Sequence, residues 1–297
     1  RLDPWLDDGN IILTTENKCF CVHRSVLCLN SEVWKDMISL PSNSVVDACA
    51  VVQLHDSAED LQIVLRALYN TYMILSEQKM PLRIVSAFLR LGEKYRMKSL
   101  YDEGKARLTA AHNLATAYKL GTEDVDLFPK ISERDKYDFQ IINLAREIGL
   151  LSILPVPILR CCVWCPLPVI LDGDDVDGSL YRLHPEDQRI CILGKDKLNG
   201  LQSEVTSWVT TEKISGCTGA TTCDLNQLEV WEALRERGLE RYPFVEWGSL
   251  TTQNRFIAHN NFCTRCASAF QQKHKDATEK AWSKLPLVLG LGSWTEL

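Results

Sequence analysis

The sequence predicts an α+β fold in which a small sheet with helices occupies residues 5–112 and a mainly helical, cysteine-bearing region occupies 113–297. Three observations lead there. Short β-branched runs bounded by turn residues open the chain. Apolar residues at helical spacing follow them. Beyond residue 112 the pattern turns helical with interruptions and carries a Cys-x-x-Cys pair at an expected helix start.

The elements can be justified in order. Asp7-Asp8-Gly9 reads as a turn and Asn10–Thr14 as a first strand; Glu16-Asn17-Lys18 turns the chain and Cys19–Val22 returns as the second arm of a hairpin. Ser31 is an N-cap, Glu32 suits the helix dipole in the first turn, and Val33, Trp34 and Met37 share one face. Pro41–Ser44 reads as a loop and Ala50–Leu54 as a third strand. Ser57 to Asp60 opens a helix ending near Tyr69, with Leu61, Val64, Leu65 and Leu68 at i, i+3, i+4 and i+7. Another helix starts at about Pro81 and buries Ile84, Val85, Phe88 and Leu91. Further on, helices are expected at Tyr137–Leu150, Leu225–Glu236 and Cys263–Ser283. The Pro-rich run Pro155–Pro168 and the acidic loop Asp172–Gly178 read as a seam between parts of the chain.

Composition narrows the function. Hydrophobic residues make up 45% and charged residues 24% of the 297, close to ordinary globular usage, so a packed core is expected. The net charge of -6 and pI near 5.6 leave no basic stripe for phosphate contacts, and nucleic acid is a disfavoured partner. The longest apolar stretch, Ile148–Ile170, is broken by four prolines and Arg160, so no membrane span is expected. No signal-peptide pattern opens the sequence, whose first residue is Arg1, and no Asn-x-Ser/Thr sequon occurs. An intracellular location, cytoplasmic or nuclear, is the expectation. Twelve cysteines in a chain of this length and without an export signal then read as reduced thiols, packed as small apolar groups or ligating a metal.

The first hundred residues resemble the BTB/POZ family. The resemblance is carried by Asp8-Gly9-Asn10-Ile11-Ile12-Leu13, by Phe20-Cys21-Val22-His23-Arg24-Ser25-Val26-Leu27, and by Ser31-Glu32-Val33-Trp34-Lys35-Asp36-Met37. Val52–Asp56 and Leu61–Tyr69 are similar to the family's third strand and next helix. The rest is similar to the BTB-domain proteins abundant in mushroom-forming fungi, through Leu159-Arg160-Cys161-Cys162, His184-Pro185-Glu186-Asp187, Cys263-x-x-Cys266, and Trp282–Pro286 with the Gly-Leu-Gly-x-Trp ending at Trp294. The resemblance implies protein–protein interaction, homo-oligomerisation and, as a partner, a cullin-type ubiquitin ligase scaffold. Two departures stand out. Asn10 replaces the acidic residue of many members, and the sequence starts just before the first strand, so an exchanged N-terminal helix is not implied.

Chemistry-bearing motifs are few. The chain has no P-loop, no Gly-x-Gly-x-x-Gly after a strand, no Gly-x-Ser-x-Gly elbow and no His-Glu-x-x-His. Asp172–Gly178 fails as a calcium loop, because Gly173 and His184 fall where carboxylates are needed. His23 at a strand-to-helix junction has no nucleophile nearby and reads as structural. Cys217 and Cys223, six apart around Gly219, together with Cys263 and Cys266 can supply four thiolates to a structural zinc ion. Four ordinary thiols are the other reading; His259 and His274 are spare ligands. Cys162-x-x-Cys165, followed by Pro166, reads as buried packing. Trp282 and Trp294 are expected to cover a core edge. The function expected is a non-enzymatic interaction module or adaptor. A transcription regulator with a zinc-stabilised C-terminal region is the alternative, and a thiol-based enzyme is third.

Overall fold

The protein is described here by a computed structural model covering all residues except 41–44, 47–48, 71–77, 111–129, 132–136, 177, 212, 237–241 and 245–261. The chain divides into two compact units; the first holds Arg1–Ala110 with Lys130 and Ile131, and the second holds the described residues from Tyr137 onward.

The first unit is built on a four-stranded sheet in the order β2-β1-β4-β3. β1 (Ile11–Thr15) and β2 (Lys18–Val22) are antiparallel, joined by Glu16 and Asn17. Both turn residues lie at positive φ (45° and 62°), the combination that matches the twist of a two-residue hairpin. β4 (Cys49–Gln53) runs parallel to β1, with Ile11 opposite Ala50, and β3 (Val45–Val46) is antiparallel to β4. A parallel neighbour needs a crossover. α1 (Arg24–Asn30) and α2 (Glu32–Ser39) supply it. Alternate residues of the hairpin, Ile11, Leu13, Phe20 and Val22, point into the core and are fully buried.

Helix caps appear where the sequence places them. The Ser31 hydroxyl accepts from the Trp34 amide at 3.0 Å, and Ser57 accepts from Asp60 at 3.4 Å at the start of α3 (Ala58–Tyr69). Trp34 is buried and stacks on Tyr95, ring centroids 4.6 Å apart. Pro81 stands one residue ahead of α4 (Leu82–Lys94), whose Val85, Phe88 and Leu91 are buried while Ile84 is half-buried. α4 and α5 (Lys98–Thr109) approach closely because Gly92 has no side chain; a Cβ there would stand 2.9 Å from the Tyr101 backbone nitrogen. Asp56 is the polar tie of this core. Its carboxylate receives Lys94 at 2.5 Å and the Tyr95 hydroxyl, and its carbonyl receives the Thr15 hydroxyl. Burial, reinforced by Asp56, pushes the Tyr95 phenol above its ordinary range.

The second unit is mainly helical. α6 (Asp138–Glu147) falls inside the expected helix and buries Phe139, Ile142 and Leu144. The expected seam takes a different form. Pro155 and Pro157 stand in the first turn of α7 (Pro155–Trp164), where a missing N–H costs no hydrogen bond, and the helix is largely buried. After Pro166 comes α8 (Leu167–Asp172), and the stretch expected as an acidic loop supplies strand β5 (Asp174–Val176), antiparallel to β6 (Ser179–Tyr181). The Asp175 carboxylate of β5 accepts from the Gly178 amide at 3.0 Å.

The longest departure from expectation is α9 (Pro185–Thr206), with His184 at its N-cap, Pro185 at its first position, and Glu186 and Asp187 in its first turn. Its buried stripe is Cys191, Gly194, Leu198, Leu201 and Val205. α7 crosses it at Gly194, where a Cβ would lie 2.5 Å from the Cys162 sulfur. After α10 (Trp208–Thr211) come α11 (Ala220–Glu236) and α12 (Thr264–Leu289). α12 extends past the expected end to Gly290, a left-handed cap at φ 81°. Trp294 then folds back on Trp282, its indole donating to the Trp282 carbonyl at 2.9 Å. The expected loop at Pro41–Ser44 and His259 lie outside the described residues. Among the described residues no helix is long and apolar enough to cross a membrane.

Buried charge gives this unit a pH signature. Asp138 pairs with Arg160 at 3.1 Å, yet burial dominates and raises its carboxyl to about 6. A folded-state pKa above the unfolded value means that the folded state holds the proton more tightly. The associated stability is present in full below about pH 4 and is lost as pH rises through about 6. Asp138→Asn should therefore flatten the fall in stability between about pH 4 and 7 by on the order of 3 kcal/mol, read as the difference between native and variant denaturant melts. Parallel curves would show that Arg160 compensates the burial.

Candidate metal centre

Four cysteines from two distant segments converge. Cys217 lies in a turn whose amide returns to the Ile214 carbonyl at 3.2 Å, with Gly216 at φ +75°. Cys223 is in the first turn of α11, and its amide donates to Gly219 at 2.8 Å. Cys263 is the N-cap of α12 and Cys266 sits in that helix's first turn. Their four sulfurs lie within 4.8 Å of one another. This matches the sequence expectation residue for residue as a cluster. It is the one group of three or more His, Cys, Asp or Glu donors, among the described residues, brought close enough to share a metal ion.

The dimensions suit a tetrahedral thiolate shell. A metal–sulfur bond of about 2.3 Å places tetrahedral sulfurs about 3.8 Å apart. Cys217 and Cys263 are 3.8 Å apart. The surroundings also favour negative sulfur. The amide of Cys263 donates to the Cys223 sulfur at 3.3 Å. Hydrogen bonds from the backbone of Cys266 and then of Thr218 pull the Cys263 thiol down to about 5. Both helices present their N-termini to the cluster, where the backbone dipoles stabilise anionic groups. Burial acts the other way on the inner pair, raising the Cys223 and Cys266 thiols. A cation in their midst would offset that penalty.

Gly219 is part of the construction: a Cβ there would meet the Cys223 sulfur at 3.1 Å. His274, the spare ligand within the described residues, lies about two turns farther along α12 and faces Trp208 edge-on at 6.0 Å. It packs rather than joins the sulfurs.

A second sulfur cluster went unrecognised in the sequence because Cys191 sits in the helix that was not foreseen. Cys161 and Cys162 of α7 meet Cys191 of α9, the Cys162 thiol donating to the Cys191 carbonyl at 3.3 Å. Lys195 caps the end of α7, donating to the carbonyls of Cys162 at 2.7 Å and Cys165 at 2.8 Å. Hydrogen bonding to neighbouring thiols, with burial, raises both Cys161 and Cys162. Cys161 and Cys162 are neutral packing groups, as expected for Cys162, while their hydrogen bonds lower the Cys191 thiol, and the Cys161 hydrogen bond lowers that of half-buried Cys165.

His23 is likewise structural. It caps α1 through its backbone, its ring nitrogen and amide both meet the Tyr69 hydroxyl (3.1 and 2.9 Å), and its other ring nitrogen faces Asp8 at 3.3 Å. Asn10 accepts from the Arg24 amide through its side-chain oxygen at 2.8 Å, a contact that needs no charge.

The burial pattern of the four converged cysteines gives a direct check. Cys217 and Cys263 are half-exposed, Cys223 and Cys266 buried. In chelator-treated protein the outer two are expected to alkylate at least about tenfold faster than the inner two, followed by peptide mass spectrometry. Equal rates would mean that the cluster opens in solution.

No curated protein matches the chain. A family model does: residues 7–112 match the BTB/POZ domain. The matched span contains the whole four-stranded sheet, the crossover helices α1 and α2, and α3 to α5. The strand hairpin, the helix start at His23-Arg24 and the Ser31-capped helix stand where the resemblance placed them, and the chain carries a BTB/POZ domain over residues 7–112.

Proposed function

We propose that the protein is a non-enzymatic, intracellular association module, cytoplasmic or nuclear. Its BTB/POZ unit, residues 5–112, self-associates or docks a protein partner, and residues 113–297 provide a second surface. The observation that carries this reading is the BTB/POZ match over residues 7–112, a domain whose general role is protein–protein interaction. A cullin-type ubiquitin ligase scaffold is the partner to test first, and binding it would make the protein a substrate-recruiting adaptor. Nucleic acid is not expected as a partner, given the net charge of -6.

The surface of the first unit supports association. Leu29 (86% exposed), Leu40 (68%), Val45 (64%) and Val46 (50%) present large apolar side chains to solvent. β3 ends the sheet order, and an edge strand offers backbone donors and acceptors to a further chain. Replacing Val45 and Val46 together by Glu is expected to weaken self-association at least about tenfold in analytical ultracentrifugation. Unchanged self-association would move the interface elsewhere. Affinity purification of tagged protein from its native cells reads the partner. Recovery of a cullin supports the adaptor; recovery of its own copies alone supports association without ubiquitin transfer. A monomer that captures nothing would overturn the reading.

The cofactor that fits Cys217, Cys223, Cys263 and Cys266 is structural zinc. Four thiolates complete a tetrahedral shell and leave no position for water or substrate. Metal analysis of the purified chain is expected to give about one equivalent of zinc, and Cys266→Ser to lose it and melt earlier. Less than about a tenth of an equivalent, with freely titratable thiols, would overturn the assignment.

A further inference from the structure

The four sulfurs are not equivalent, and the difference has a direction. Cys223 and Cys266 are buried, each in the first turn of a long helix. Their backbones are held by α11 and α12. Cys217 and Cys263 are half-exposed and lie outside helical geometry, one in a turn and the other at an extended N-cap (φ -62°, ψ 152°). Their sulfurs are 3.8 Å apart, and a disulfide needs about 2.05 Å. Less than about 2 Å of closure joins them, shared between a turn at Cys217 and a helix boundary at Cys263, whose carbonyl accepts the Ala267 amide at 2.9 Å. The guanidinium of Arg265 lies over the same turn; a Cβ at Gly216 would stand 2.9 Å from its Nη1.

We propose that Cys217 and Cys263 form a peroxide-sensitive thiol pair at the exposed edge of the metal centre, whose oxidation to a disulfide releases the metal; this rests on the zinc reading above. One of the two thiolates attacks a hydroperoxide oxygen. A sulfur–oxygen bond forms, the oxygen–oxygen bond breaks, and the departing oxygen takes up a proton and leaves as water when the oxidant is hydrogen peroxide. The second sulfur then attacks the resulting sulfenic acid. The sulfur–sulfur bond forms, the sulfur–oxygen bond breaks, and a second water leaves. In sum, two thiolates, one hydrogen peroxide and two protons give one disulfide and two waters; sulfur is oxidised and the peroxide reduced. Cys223 and Cys266 are left as two ligands, too few for a four-coordinate site, and take up two protons as the metal departs. The oxidised protein keeps a covalent link between the Cys217 turn and the start of α12 in place of a metal link.

The test uses the full chain, reduced, loaded with zinc and freed of excess metal. Hydrogen peroxide is added in steps while released zinc is followed with a chromogenic chelator, and the product is mapped without reduction. Cleavage after Arg265 separates Cys263 from Cys266, and fragmentation distinguishes Cys217 from Cys223. The expected result is release of about one equivalent of zinc per disulfide formed, with Cys217 linked to Cys263 and with Cys223 and Cys266 still open to alkylation. Reduction in the presence of zinc should restore the loaded form. Zinc retained through about a tenfold excess of peroxide, or released with another pairing or with over-oxidised single cysteines, overturns this proposal and leaves the zinc site standing. Failure to load zinc at all overturns both.

Discussion

The far end of the C-terminal unit depends on one convergence, that of Cys217, Cys223, Cys263 and Cys266 within 4.8 Å. Two helices begin there. Apolar side chains cover more surface than thiols, so a core that needed only burial would fill the junction of α11 and α12 with larger groups. Sulfur earns its place through its lone pairs. The amide of Cys263 donates to Cys223, the backbone of Cys266 and Thr218 donates to Cys263, and both helix dipoles point inward. Each of these contacts favours negative sulfur, a setting compatible with a cation shared by the four.

The first unit is tied together differently. Asp56 follows β4 and precedes α3, and it gathers Thr15 from β1, Lys94 from the end of α4 and Tyr95 just beyond it. Tyr95 in turn lies on Trp34 and accepts the Ser31 hydroxyl at its carbonyl. One residue thus links the sheet, through its backbone carbonyl, to the end of α4, through its carboxylate. A buried polar network of this kind is costly if any member is missing and directional when complete. It holds the sheet rigid behind the exposed edge strand and the apolar residues Leu29 and Leu40, and a rigid surface loses less entropy on docking.

How much of this was legible in the sequence depended on whether the signal was local. Ser31 and Ser57 announce their helices because a cap acts within three residues, and the hairpin is visible in Glu16-Asn17 because two residues set its turn. α9 carried comparable signals in His184-Pro185-Glu186-Asp187, with a buried stripe at 3–4 spacing, yet the small residues Cys191 and Gly194 weaken that stripe on any hydrophobicity scale. Pro155 to Pro168 misleads for the opposite reason. Proline breaks a helix interior but suits a helix start, and only the fold shows that these prolines stand at the starts of α7 and α8. The four cysteines that converge were legible as a candidate set by chemistry: a Cys-x-x-Cys pair needs partners, and Cys217 and Cys223 in the Thr/Gly-rich turn can supply them. Their meeting spans 46 residues between Cys217 and Cys263 and is a tertiary fact.

The two sulfur clusters of the C-terminal unit show why residue type alone does not decide function. Cys161, Cys162 and Cys191 lie along the bodies of α7 and α9, where helical N–H groups are already used within the helix and cannot reach sulfur. The Cys162 thiol acts there as a donor to a carbonyl, which requires its proton, and burial keeps it protonated. At the starts of α11 and α12 the backbone N–H groups are unspent, and sulfur serves as the acceptor. Cys161 and Cys162 are therefore neutral groups along a helix body, whereas Cys263 at a helix start is drawn toward its anionic form. Donors decide the difference: free amides at a helix start lower Cys263, and the neighbouring thiols of Cys161 and Cys162 lower Cys191 in the body of its helix.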